Sequence, residues 1–194
     1  MSSAHSPYKF FTCDSQNPSE WEALQQAISD SSQAQRLAVM GLYDVAEPLH
    51  LRAIAAKERI AGCSAVSIAI SYNGLGSMYT RMGRLDEAKS YLEKALRIRE
   101  ENQDCSELDA AVTRMYLAKV LEMQGNLVGA KKLRKLGWPK KMLCGNEGCP
   151  QCEMFRSDFS LCSKCKSIYY CGKTCQKHDW QRHKKYCQRK ESAD

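Results

Sequence analysis

The residues best suited to chemistry are the cysteines and one histidine near the C-terminus. In order they read Cys149-x2-Cys152-x9-Cys162-x2-Cys165-x5-Cys171-x3-Cys175-x7-His183-x3-Cys187. Eight soft or borderline ligands are enough for two tetrahedral zinc ions. The Cys-x2-Cys pairs suit tight knuckles, and the two pairs spaced i, i+4 fall on one face of a helical turn. Thiolates exclude magnesium and calcium, which take oxygen ligands. With four protein ligands on each ion no position is left to activate water, so the metal is structural. A segment with so few aliphatic residues draws its folding energy from the metal.

Cys144 competes for a place in the first pair. Cys144-x4-Cys149 is a workable spacing that would leave Cys152 spare, but Cys149-Pro-Gln-Cys152 closes a more compact knuckle and is the preferred pair. His178 reads as a solvent-facing helical residue, and His5 and His50 carry no signal. Cys13, Cys63 and Cys105 read as reduced, buried or incidental thiols.

The elements that must hold these ligands belong to a divided chain of 194 residues. Residues 1–130 carry 13 Lys/Arg against 16 Asp/Glu, whereas residues 131–194 carry 16 against 6. Eight of the eleven cysteines also lie between Cys144 and Cys187. Two units with different jobs are implied, and clustered cysteine in a reducing compartment means metal rather than disulfides. The N-terminus lacks the charged-then-apolar build of a signal peptide, and no run approaches the roughly 20 apolar residues of a membrane span. Cytosol or nucleus is the expected address, with no membrane and no small-molecule substrate.

The first two-thirds repeats at an offset of 42 residues, aligning Gly41, Gly83 and Gly125, and Ala46, Ala88 and Ala130. In the middle copy Ile68, Tyr72, Leu75, Tyr79 and Met82 form one helical stripe. Gly83 then stops the helix at a positive φ. Asp86 and Glu87 open a second helix, whose inward face is Ala88, Leu92, Ala95 and Ile98. Ahead of the repeats, Asn17-Pro18-Ser19 caps a helix carrying Trp21, Leu24 and Ile28, and the polar run 29–35 reads as a break or an exposed stretch.

Tyr72-x2-Leu75-Gly76-x2-Tyr79 followed by Gly83, Ala88, Leu92 and Ala95 resembles the tetratricopeptide repeat. Residues 41–62 resemble its 42-residue kinesin-light-chain variety. The third copy departs from the pattern, with Arg134 and Gly137 where the middle copy has Leu92 and Ala95. A terminal unit needs a polar outer face and tolerates this. The resemblance implies an all-α helical repeat array, an α-solenoid of about three helix pairs, whose concave face binds peptides. Asn73 is a candidate contact there, with no asparagine ladder at the equivalent Ser31 and Met115.

Tyr169-Tyr170, Cys171-Gly-Lys-Thr-Cys175-Gln176, Trp180, His183-Lys184 and Cys187 resemble the MYND-type zinc finger. The resemblance implies cross-bracing, with Cys149, Cys152, Cys171 and Cys175 on one zinc and Cys162, Cys165, His183 and Cys187 on the other. It also implies a protein-binding module that takes extended proline-containing peptides at Gln176 and Trp180, with Ser163 a further candidate. Such fingers occur inside lysine methyltransferases, but only seven residues follow Cys187 and the Asn-His-Ser-Cys cofactor motif is absent. With no phosphate loop, nucleophile elbow or acid–base pair either, the expectation is an adaptor and not an enzyme. The basic C-terminal region keeps a nucleic-acid-associated or transcriptional role as the alternative. The expected organisation is a flexible N-terminus over 1–18, repeats over 19–137, a linker over 138–148, the finger over 149–187 with an alternative start at 144, and a tail over 188–194.

Overall fold

The computed structural model describes residues 17–60, 63–136, 142–150 and 159–187. Its contacts divide the chain into two compact units, Met1–Cys105 and Ser106–Asp194. Cys13, Gly137, Cys152 and the tail 188–194 lie outside the described residues.

The first unit contains α1 (Pro18–Val39), α2 (Tyr43–Arg59), α3 (Ala65–Met82) and α4 (Leu85–Glu101). α1 packs on α2, α3 on α4, and α2 on α3. Ala46, Ala53, Ala88 and Ala95 are fully buried, because only a methyl-sized side chain lets paired helices come this close. Gly76 marks the tightest approach: a Cβ there would stand 2.7 Å from Leu92 Cγ.

The 42-residue period is a period of backbone conformation. Gly41, Gly83 and Gly125 have φ of 80°, 80° and 81°. In each case the residue after the glycine donates its N–H five residues back, Leu42 to Leu37, Arg84 to Tyr79 and Asn126 to Leu121. This is one Schellman turn used three times.

The polar run 29–35 is not a break, for α1 passes through it unbroken, exposing Ser29, Ser32, Gln33 and Gln35 and turning Asp30 and Ser31 inward. Asp30 is buried and accepts both Nε and Nη2 of Arg52, at 2.7 and 2.8 Å. Ser31 lies 3.2 Å from Ser71, and the buried Lys57 donates to Ser71 at 2.8 Å. Asp30 and Ser31 are polar because the groups they meet on α2 and α3 are polar.

His50 completes that buried group, 1% exposed, with neither ring nitrogen hydrogen-bonded. Burial, and then the Lys57 charge, depress its pKa to about 4. The unfolded chain therefore binds a proton between about pH 6.5 and 4 that the folded chain refuses, and stability falls as pH drops through that window. His50→Leu is expected to lose less in Tm than the parent chain between pH 7 and 5. Equal losses, measured by thermal denaturation at matched zinc loading, would contradict this.

Candidate metal centre

The second unit contains α5 (Glu107–Met123), α6 (Leu127–Lys135), β1 (Ser160–Leu161), β2 (Tyr169–Tyr170) and α7 (Lys173–His183). Ser106 caps α5 by accepting the Asp109 N–H, and Asn126 caps α6 by accepting that of Gly129. β1 and β2 pair antiparallel, Ser160 opposite Tyr170 and Leu161 opposite Tyr169. Between them the Cys162 carbonyl accepts the Lys166 N–H at 2.9 Å, and Lys166 takes a φ of 55°. That turn is the knuckle which aims Cys162 and Cys165 the same way.

Two groups of four ligand atoms result, each group within 4.8 Å. In one, Cys162 Sγ is 3.8 Å from Cys187 Sγ, while His183 Nε2 is 3.4 Å from Cys162 Sγ and 3.5 Å from Cys165 Sγ. In the other, Cys171 Sγ is 3.6 Å from Cys149 Sγ and 3.4 Å from Cys175 Sγ. A tetrahedron with Zn–S of about 2.3 Å has edges of about 3.8 Å, so the donors stand at the separation zinc requires. Burial pushes the Cys171 thiol up to about 11 and the Cys187 thiol to about 12, whereas at Cys165 burial is outweighed by hydrogen bonding, above all to His183, which brings the thiol down to about 7. A bound divalent cation reverses that penalty by taking the thiolates as ligands. The donor set and its spacing fit two zinc ions.

The fourth member of the second group is Cys144. Cys152, the partner expected for Cys149, falls outside the described residues. The local backbone explains how Cys144 arrives. The Gly145 N–H donates to the Tyr169 carbonyl at 2.7 Å, drawing this segment against β2. A side chain at 145 would meet Ile168 Cγ1 at 2.5 Å, so the approach requires glycine. Residues 142–148, expected as part of a linker, thus carry structure of their own.

α7 has two faces. Cys175, Asp179 and His183 are buried, four residues apart, on the side of the ligand groups. Lys173, Gln176, Lys177 and Trp180 follow at i, i+3, i+4 and i+7. With Cys162, Ser163 and Lys164 they line a groove of about 430 Å³. Trp180 remains 38% exposed while its ring meets that of His183 edge-on, so it covers the ligand as well as facing the groove. His178 is exposed, as expected.

Sequence reasoning missed the residues that fasten this unit together. Glu122 of α5 is fully buried, and its Oε1 lies 2.5 Å from His183 Nδ1. With Nε2 turned to sulfur, Nδ1 is the nitrogen that donates. Arg134 of α6 donates to Glu122 at 2.8 Å and to the Ser167 carbonyl at 2.9 Å. Arg182 grips Asp179 through two 2.7 Å bonds, and Asp179 accepts the Tyr170 hydroxyl. Burial works against the Glu122 charge, but His183, Arg134 and Arg182 outweigh it and hold the carboxyl down at about 2. Further along α5, Tyr116 and Lys119 both donate to Glu147, between Cys144 and Cys149.

Arg134 is therefore no solvent-facing feature of a terminal repeat, since its side chain is only 7% exposed. The available signal was the repeat register. Glu122 is equivalent to Ala38 and Thr80, both buried, and Arg134 to His50 and Leu92. Opposite charges at two core positions of one copy imply an unseen polar partner. The last helix pair shares its buried charges with a ligand candidate, His183.

The tetratricopeptide repeat family matches residues 25–101 and, in an overlapping placement, 67–133. The MYND finger family matches residues 149–187. Among curated relatives, N-lysine methyltransferase SMYD2-B of Danio rerio is 42% identical over 40 residues, covering 21% of this chain and 9% of that protein. The chain thus spans under a tenth of the length of that relative. No solved structure matches. The matches identify tetratricopeptide repeats without distinguishing the kinesin-light-chain variety. Both matched domain types are typically non-catalytic.

Two measurements test this centre. Cys144→Ala is expected to lower bound zinc from two ions toward one, and Cys152→Ala to retain two, by metal analysis. The reverse pattern would assign the first pair to Cys149 and Cys152. Glu122→Gln is expected to weaken one zinc by about 10–100-fold in chelator competition while the other is unchanged.

Proposed function

We propose, from the premise that this chain belongs to the tetratricopeptide repeat family and carries a MYND finger, that it is an adaptor docking extended proline-containing peptides at Gln176 and Trp180. The observation that carries the reading is the groove beside the metal centre, which gathers Ser163, Gln176 and Trp180. An indole face suits proline, and a glutamine amide pairs with either the N–H or the C=O of an extended backbone. The zinc ions are architectural in this reading. Cys144, Cys149, Cys171 and Cys175 would fill one ion, and Cys162, Cys165, His183 and Cys187 the other, leaving no position for water or substrate.

The repeats would dock a second protein segment, making the chain a bridge. A non-catalytic role accords with these closed ligand sets and with both domain types. The likeness to a methyltransferase spans only 9% of that protein. The cytosol or nucleus suits nine cysteines of which none forms a disulfide among the described residues.

Gln176→Ala is expected to weaken binding of a proline-containing peptide by about tenfold, the scale of a lost hydrogen bond, while two zinc ions are retained. A library selection on the zinc-loaded protein supplies the peptide, and calorimetry measures the loss. Unchanged affinity would overturn the assignment of Gln176.

A further inference from the structure

The groove is ringed by positive charge that no acidic side chain answers among the described residues. Lys164 sits in the knuckle between Cys162 and Cys165, Lys173 opens α7, and Lys177 follows one turn later, all three exposed on the groove wall. None has an ion-pair partner among the described residues. The better buried cations of this unit are matched, Lys119 with Glu147, Arg134 with Glu122 and Arg182 with Asp179, whereas exposed lysines such as Lys132, Lys166 and Lys184 are not. Lys164, Lys173 and Lys177 stand apart in lining one groove.

The placement of Lys173 sharpens the contrast. A helix N-terminus carries partial positive charge and favours acidic residues. The first turn of α7 has no acidic residue, and a lysine occupies its first position. The helix end, Lys173, Lys177 and Lys164 add up around one indole. Intramolecular stability does not account for such an arrangement, whereas a complementary anionic partner does.

We infer that the groove selects acidic peptides, its occupant being an extended proline-containing segment with Asp or Glu on either side of the apolar anchor. The inference rests on the peptide-docking reading and names the chemistry of the partner. Trp180 takes the proline, Gln176 and Ser163 take the backbone, and the lysines take flanking carboxylates. A nucleic acid is less well served, because the charge surrounds one compact pocket with a single indole. Single strands instead need a basic track with successive stacking platforms.

The test uses the full-length, zinc-loaded chain and three labelled probes read by fluorescence anisotropy. These are a proline-containing peptide with Glu flanks, its counterpart with every Glu replaced by Gln, and an oligothymidylate. The acidic peptide is expected to bind about tenfold tighter than the neutral one, the sum of a few exposed ion pairs. Lys173→Gln with Lys177→Gln should bring the two affinities together while leaving the zinc content unchanged. Equal affinities for both peptides in the parent protein would overturn acidic selection and leave peptide docking standing. Binding of neither peptide would overturn both. Tighter binding of the oligothymidylate than of the acidic peptide, with steep salt dependence, would reassign the lysines to phosphate recognition.

Discussion

A single carboxylate buried out of contact with solvent organises the second half of this protein. Alone, Glu122 would face a desolvation cost of several kcal/mol, and it is tolerable only because three donors from α6 and α7 converge on it. Each of those donors depends on another part of the fold. Arg134 needs the repeat helix to run on past Ala130, Arg182 is held by Asp179 and Tyr170, and His183 is turned by its sulfur neighbours. Removing Glu122 would take the buried carboxylate from both Arg134 and His183. The network consequently has one low-energy arrangement, in which the imidazole faces the sulfurs in the correct tautomer.

The two units are stabilised by different means. In the first, small residues bring helices close, and two of the three glycine turns, at Gly41 and Gly83, fix where each pair folds back. A polar inclusion there, Asp30 with Arg52 and Lys57 with Ser71, is local to α1–α3. In the second, the part built from the two short strands and α7 encloses little aliphatic volume, with Ile168 and Leu127 among the few contributors. Metal ligation and charged hydrogen bonds replace the missing hydrophobic term there.

What was legible in the sequence follows from this difference. Gly41, Gly83 and Gly125 could be read because a positive φ constrains residue type wherever it occurs. Cys162, Cys165, His183 and Cys187 could be read because their spacing encodes a knuckle and a helical turn. Spacing alone allowed both Cys144 and Cys152 a place beside Cys149. The hydrogen bond from Gly145 to β2, which draws Cys144 inward, is a tertiary fact that spacing does not contain. Asp30 and Ser31 misled because a polar residue reads as exposed until its polar partner is known. Glu122 was invisible for the same reason, its partner lying 61 residues away.

The division at Cys105 bears on how such a chain can be taken apart. Charge and cysteine content change near residue 131, which invites a cut between helices and finger. That cut would leave Glu122 on one fragment and His183 on the other, so each piece would expose a charge the intact chain buries. The indivisible module comprises the last helix pair together with the finger. Interchange of parts during evolution faces the same restriction: a finger transplanted from here has to bring α5 and α6 with it, or land on a helix that already carries a carboxylate in the place of Glu122.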